Sequence, residues 1–320
     1  MTKQHIPIFF ATDDNYLPYL SVALASIEEH ASDDYVYDVR ILTTGLSEEN
    51  LKKLSELSAP HLTVSAVNLE ERVGRIRREL RLRLRDYYSE TIYYRIFIPS
   101  LFPRLERAIY LDCDVVLKDD IAKMYFTDTG DAILGAISDE SIAPIPEFSA
   151  YVDEVVGSPE GVYFNSGVLL INARRFREEK IEEKLLSLLT EYNFHTVAPD
   201  QDYLNYLCRG KVYYFDAGWN KQPQIKPDVT EDSIHLIHFN MFNKPWHYSD
   251  VPYEEYFWHY ARKSPFYKEI KAGYSAYTDA QRDADREGAA KLVASTVEIL
   301  NERCSFCHVI GKNHFDEVKV

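Results

Sequence analysis

A chain of 320 residues, 46% hydrophobic and 27% charged, carries enough apolar material for a large core and is neither disordered nor fibrous. Its formal net charge of −15 argues against nucleic acid as the main partner, because phosphate backbones need a basic footprint; a small anion held at a local site stays open. Met1 to Phe10 leaves no room for a basic leader and a hydrophobic signal core, no run is long enough to span a bilayer, and four cysteines suit a reducing compartment, so a cytoplasmic protein is expected.

Ile6 to Ala11 predicts a first core strand, followed by Thr12-Asp-Asp-Asn15 and a helical stretch from Tyr16 to His30 in which Leu17, Leu20, Leu24 and Ile27 recur on one face. Pro18 suits a first turn, and Asp13, Asp14 and Asn15 stand where polar side chains cap a helix. Tyr37 to Leu42 predicts a second strand, Ser47-Glu-Glu-Asn50 opens a helix through Leu57, and His61 to Val67 predicts a third strand. This alternation predicts a parallel sheet with helices on both faces, whose ligands bind beyond the carboxyl ends of the strands. Arg72 to Arg85 reads as a solvated basic segment; the functional alternative is a lid or acceptor-binding edge facing an anionic substrate. Tyr87 to Phe97 predicts a helix with Arg95 near its end, stopped by Pro99 and Pro103.

In the segment Arg107-Ala-Ile-Tyr-Leu-Asp-Cys-Asp-Val-Val-Leu117 an apolar, strand-forming run ends in two aspartates separated by one residue. Strand alternation sends Asp112 and Asp114 to one face and Cys113 to the other, and a hard divalent cation answers the repulsion between two such carboxylates. Further strands are predicted at Ala132 to Ile137, ending at Ser138-Asp139, and at Val162 to Ile171, which contains Asn165-Ser-Gly167. A long amphipathic helix follows from Arg174 to Tyr192 with Ile181, Leu185, Leu188 and Leu189 on one face, and Pro199-Asp-Gln-Asp202 starts the next. Lys211 to Phe215 and Ile234 to Phe239 predict late strands, and beyond Trp246 the chain turns aromatic, then helical and polar. Cys304-Ser-Phe-Cys-His308 matches a haem-attachment pattern, but that chemistry needs export and a zinc site needs a second ligand pair; chance accounts for it.

Four stations, Phe10-Ala-Thr-Asp-Asp-Asn15, Tyr110-Leu-Asp-Cys-Asp114, Phe164-Asn-Ser-Gly-Val-Leu-Leu-Ile-Asn172 and His238-Phe-Asn-Met-Phe-Asn-Lys-Pro-Trp246, occur in this order with Pro199-Asp-Gln-Asp202 between the last two. From about Ile6 to Trp246 the chain thereby resembles the family 8 retaining glycosyltransferases, such as bacterial lipopolysaccharide galactosyl- and glucosyltransferases and glycogenin. The resemblance implies an α/β type A glycosyltransferase fold: one Rossmann-like nucleotide-sugar-binding domain with a mixed central sheet over residues 1–250, and a helical C-terminal extension over 251–320. It implies UDP-glucose or UDP-galactose as donor, Mn²⁺ or Mg²⁺ on the diphosphate, and a glycan, lipooligosaccharide or protein as acceptor. It implies Asp112, Asp114 and His238 as metal ligands and Lys244 as a diphosphate contact. Ala11, Asp13 and Asn15 match positions lining uracil and ribose, and Arg95, Asp139, Asn165, Gly167, Asp200 and Gln201 match the group around the donor sugar. Two departures stand out: Met241 occupies a position where the family often has glycine, and the C-terminal tail lacks a strongly basic membrane anchor, leaving membrane association open.

The implied reaction is transfer of glucose or galactose with retention, giving an α-linkage. Gln201 is the family's candidate beside the anomeric carbon; an amide is a weak nucleophile, which favours same-face substitution over a covalent intermediate, with Asp139 and Asp200 nearby. Two rivals remain at this stage. A haloacid-dehalogenase-type phosphatase shares the strand-Asp-x-Asp-x-Val pattern but normally carries it near the start of its core domain, and a degenerate transferase could serve as a sugar-binding scaffold.

Overall fold

The computed structural model describes residues 3–79, 90–159, 161–223 and 229–311. Apolar runs form the strands β1 (Gln4–Ala11), β2 (Tyr35–Thr43), β3 (Leu62–Asn68), β4 (Ala108–Leu111), β5 (Val115–Leu117), β6 (Leu134–Ser138), β7 (Phe164–Ile171), β8 (Val212–Tyr214) and β9 (Leu236–His238). Seven make one sheet in the order β3-β2-β1-β4-β7-β6-β8, while β5 and β9 form a separate two-stranded ladder. The first four sheet strands pair in parallel, but β7 runs antiparallel to both β4 and β6. The sheet is therefore mixed, as the resemblance implied, and not the parallel sheet that alternation alone predicts. All eight residues of β7 are buried, and a strand buried on both faces shows no alternation from which its direction could be read.

Alternate residues of β1 enter opposite cores: Ile6, Ile8 and Phe10 on one side of the sheet, Phe9 on the other. The helix Leu17–His30 covers the first side with the predicted Leu17, Leu20, Leu24 and Ile27 all buried. No side chain caps it. Instead the Asp13 carboxylate accepts the backbone N–H groups of Asn15 and Tyr16, both at 3.0 Å, and shapes the turn after β1. Asp14 accepts from the Ser47 N–H and the Asn50 side-chain amide, so it ties that turn to the helix Glu48–Ser55.

Other expectations shift. Glu90–Phe97 is a 3-10 helix leading into Ile98–Leu101, and Tyr87 lies outside the described residues. The stretch predicted from Arg174 to Tyr192 is two helices, Ala173–Glu178 and Ile181–Glu191, broken at Lys180 with φ 54°. Within the arginine-rich segment, Arg72 pairs with the buried Glu182 and so is docked, not solvated; residues 80–89 lie outside the described residues.

The C-terminal extension contributes to both cores. Phe257, Tyr260, Phe266 and Ile270 pack on the side of Leu17–His30, whereas Leu292, Ile299 and Phe306 join the opposite side. Between them runs the helix Asp279–Leu300, opened by a Thr278–Gln281 capping box. Its buried stripe Gly288, Leu292, Thr296 and Ile299 faces Pro146–Tyr151 and the following turn Val152–Val156. The Cys304-Ser-Phe-Cys-His308 stretch is an aromatic anchor: Phe306 sits 4.5 Å from the Phe194 ring and 5.0 Å from Tyr206, and all four cysteines are free. Among the described residues no helix is long and apolar enough to cross a membrane.

Candidate active site

Asp112 and Asp114 lie at the carboxyl end of a strand, as expected. β4 ends at Leu111 and β5 begins at Val115, so the pair occupies the intervening turn. Backbone pairing holds that turn: the Asp112 N–H donates to the Gly167 carbonyl and the Phe239 N–H to the Asp114 carbonyl, both at 2.8 Å. Cys113 points away and donates its thiol to the Ala11 carbonyl at 3.2 Å. The β5–β9 ladder sets Val115 opposite His238 and brings the imidazole to the carboxylates. His238 Nε2 lies 3.2 Å from Asp114 Oδ1 and 3.8 Å from Asp112 Oδ2, and one ligand atom from each residue falls within 4.8 Å of the others.

A hydrogen-bond relay orients the imidazole. Asp139, acceptor-only when ionised, accepts from the Asn165 amide nitrogen at 3.2 Å, and the Asn165 oxygen accepts from Asn220 at 3.0 Å. The Asn220 oxygen then faces His238 Nδ1 at 2.8 Å. An oxygen there requires the proton on Nδ1, which leaves the Nε2 lone pair directed at Asp112 and Asp114, the arrangement a metal-ligating histidine needs. Gly167 completes the cradle, since a Cβ at this position would stand 2.4 Å from His238 Cε1 and 2.5 Å from Asp112 Oδ2. Two carboxylates, one correctly protonated imidazole and a floor cleared of side chain suit a divalent cation.

Positive charge flanks the acids. Lys244 donates to Asp114 Oδ2 and to the Phe239 carbonyl at 2.6 Å. Burial alone would raise the Asp114 pKa, but Lys244 and His238 hold it well below the usual carboxylate range. Trp246, stacked on Tyr19 at 4.0 Å, anchors the lysine's loop to the helix Leu17–His30. Arg95 is buried, donates to Asp112 Oδ1 at 3.0 Å and to the Ser166 hydroxyl at 3.0 Å, and lies 3.2 Å from Asp200 Oδ2. Burial opposes its charge, but Asp112 and Asp200 more than compensate and raise its pKa. Burial raises Asp200, outweighing Arg95. Gln201 is pinned at both ends, its oxygen accepting from the Ser166 N–H and its nitrogen donating to Asp139, each at 2.9 Å.

Two adjoining cavities open here. One, about 330 Å³, is lined by Ala11, Asp13, Tyr16 and Lys244 among others; the second, about 180 Å³, by Asp139, Asn165, Asp200, Gln201 and His238. Both share Arg95, Asp112 and Asp114 together with the apolar Ile92, Met241 and Leu292. Of the residues singled out in the sequence, Asn15 lines neither cavity: it is exposed, and its N–H is engaged by Asp13. Gly167 lines neither cavity; its carbonyl accepts the Asp112 N–H, and its missing side chain leaves room for His238 and Asp112. Met241 keeps a left-handed backbone (φ 60°), the conformation a glycine would adopt freely, so the substitution changes the side chain and not the loop's path. Sequence reasoning missed Tyr16, Asn220 and Leu292. Tyr16 adjoins a motif already noticed; Asn220 and Leu292 carry no local signal.

The model of the family described as glycosyl transferase family 8 matches residues 7–250. The chain is 27% identical over 264 residues to lipopolysaccharide 1,2-glucosyltransferase of Escherichia coli K12, covering 77% of this chain and 74% of that protein. It is 25% identical over 272 residues to general stress protein A of Bacillus subtilis, covering 79% and 92% respectively. Among solved structures, an active-site mutant of LgtC superposes with a TM-score of 0.67 at 27% identity over 81% of this chain and 96% of its own. The bifunctional glycosyltransferase WbbM superposes with a TM-score of 0.72 at 22% identity over 86% of this chain and 53% of its own, a likeness of fold alone. The fold is thus of glycosyltransferase type A, and the phosphatase and scaffold readings give way. The chain belongs to glycosyl transferase family 8 and is a glycosyltransferase.

Proposed function

We propose that the protein is a metal-dependent retaining hexosyltransferase that moves glucose or galactose from a UDP-sugar to an acceptor hydroxyl, forming an α-linkage. One observation carries this reading: Asp112 and Asp114 stand at the junction of two cavities of different character, one bordered by the β1 turn and Lys244, the other by amides and carboxylates. The first suits uridine, with Ala11 and Asp13 at its edge and Asn15 outside it. The second suits a hexose, whose hydroxyls match Asp139, Asn165, Asp200 and Gln201. LgtC has been solved with donor and acceptor sugar analogues, which supports a donor of this class.

Asp112, Asp114 and His238 would hold Mn²⁺ or Mg²⁺, which when bound supplies Lewis-acid stabilisation of the departing diphosphate. Lys244 adds positive charge on the same side, and Arg95 pairs with Asp112 and Asp200 and holds both carboxylates in place. Gln201 has both ends committed, and Asp139 accepts from Gln201, Gln222, Asn165 and Ser141. Neither is arranged as an attacking group; both are arranged to orient a sugar. Retention then proceeds by same-face substitution. The bond from the anomeric carbon to the UDP oxygen breaks, the bond to the acceptor oxygen forms on the same face, and the acceptor proton passes to the departing phosphate oxygen. Trapping a glycosylated Gln201 or Asp139 in the wild-type enzyme would overturn this course.

The lipopolysaccharide glucosyltransferase among the relatives favours a lipopolysaccharide- or lipooligosaccharide-type glycan as acceptor, with a protein as the alternative, in a cytoplasmic enzyme. UDP release from UDP-glucose and UDP-galactose, measured with and without Mn²⁺, tests the core of the proposal. Metal-dependent release is expected, reduced about 100-fold or more in Asp114→Asn. Metal-independent turnover of both donors would refute it.

A further inference from the structure

We infer that the C-terminal helix Asp279–Leu300 roofs the donor site, and that Leu292 closes the cavity junction together with Ile92 and Met241 so as to keep water from the reacting carbon. The inference rests on the donor reading above. The residues that line both cavities fall into two chemical kinds: the charged Arg95, Asp112 and Asp114, and the apolar Ile92, Met241 and Leu292. The roof residues come from three remote segments: the 3-10 helix Glu90–Phe97, the loop after β9, and a helix that lies beyond the family-matched residues 7–250.

The helix is fastened at both ends to segments that carry site residues. Near its start, Asp285 accepts from the hydroxyls of Tyr248 and Tyr277 at 2.8 and 2.7 Å, and Arg282 donates to the His247 carbonyl at 3.3 Å. These contacts hold it to the loop of Lys244. At the far end Phe306, 4.9 Å from the Tyr203 ring, fixes it to the helix Pro199–Cys208 that carries Gln201. Leu292 falls between these fastenings, 6% exposed, and is the residue of this helix that lines either cavity. Leu292 belongs to the buried stripe Gly288, Leu292, Thr296 and Ile299, so the packing that seats this face of the helix also sets its side chain at the two cavities.

An electron-poor anomeric carbon reacts with water as well as with an acceptor hydroxyl. An apolar collar offers a stray water no hydrogen bond, while an acceptor brings binding energy of its own. The test compares wild type with Leu292→Ala and the volume-conserving Leu292→Met. Donor hydrolysis without acceptor is measured as UDP release from UDP-glucose and UDP-galactose with Mn²⁺. Leu292→Ala should raise kcat for hydrolysis about tenfold with donor KM changed about twofold or less, and Leu292→Met should behave as wild type. A gain of this kind is not what structural damage produces. A second measurement needs no variant: UDP with Mn²⁺ should slow amide hydrogen exchange across residues 279–300 of the wild-type protein. Unchanged or lower hydrolysis in a folded Leu292→Ala, or bound UDP that leaves the helix unprotected, overturns the roof alone. Failure of UDP to bind overturns the donor reading itself.

Discussion

Gly167 shows how much of the site turns on one missing methyl group. Alanine there would press into the His238 ring and the Asp112 carboxylate, and the neighbours are themselves fixed by Asn220 and Arg95. Gly167→Ala is expected to cost about 1–3 kcal/mol of stability and most of the Mn²⁺ affinity; a thermal melt and a metal titration on one sample check both. Asn220→Ala leaves the ligands in place but frees the imidazole to rotate. It should weaken Mn²⁺ binding about 10- to 100-fold with the fold intact, and unaltered affinity would remove Asn220 from the relay. Legibility at this scale follows from chemistry. Asp112, Asp114, His238 and Gln201 announce themselves by residue type and order. Asn220 is an unremarkable amide until the isolated Lys221–Ile237 bridge sets it behind the histidine.

The helix Pro199–Cys208 is set by its own first turn. Pro199 begins it, and the Asp202 carboxylate turns back to accept from the Val197 and Ala198 N–H groups at 3.0 and 2.9 Å and from the Tyr151 and Tyr163 hydroxyls at 2.8 and 2.6 Å. All ten residues of the helix are buried, so these donors find no ready substitute in solvent. Asp202→Ala should therefore destabilise by about 3 kcal/mol or more, seen as a lower Tm, and should impair turnover through misplaced Gln201. A variant with wild-type Tm would show that the tyrosines find other partners. Helix and strand identities were largely readable from periodicity. The break at Lys180 and the direction of β7 were not, because both are decided by what the segment packs against.

For the whole molecule, the extension beyond residue 250 joins both cores on opposite sides of the sheet and is best taken as a clasp on one catalytic unit rather than as a separate body. His247 belongs to this clasp, stacked on Tyr277 at 3.7 Å. Burial, aided by Lys244 and Arg282 against the pull of Asp285, holds its pKa down to about 4 from an ordinary 6.5. The unfolded chain thus takes up a proton that the folded protein refuses. Its contribution to stability is complete above about pH 6.5 and is lost as pH falls toward about 4. Tm should drop across that window in the wild type and less so in His247→Phe, which preserves the stacking; equal drops would assign the acid sensitivity elsewhere.

The β5–β9 ladder has a consequence in time. It joins Val115 to His238 across more than a hundred intervening residues, so the carboxylate–imidazole cluster cannot assemble until β9 has emerged. The parallel strands β1 to β3 can form early from local crossovers, and the two aspartates leave the ribosome long before their histidine does. A nascent chain halted before β9 would already contain every strand of the seven-stranded sheet and still lack the imidazole of the Asp112–Asp114–His238 cluster. The cluster is completed late, when the last short strand of the described residues pairs with β5.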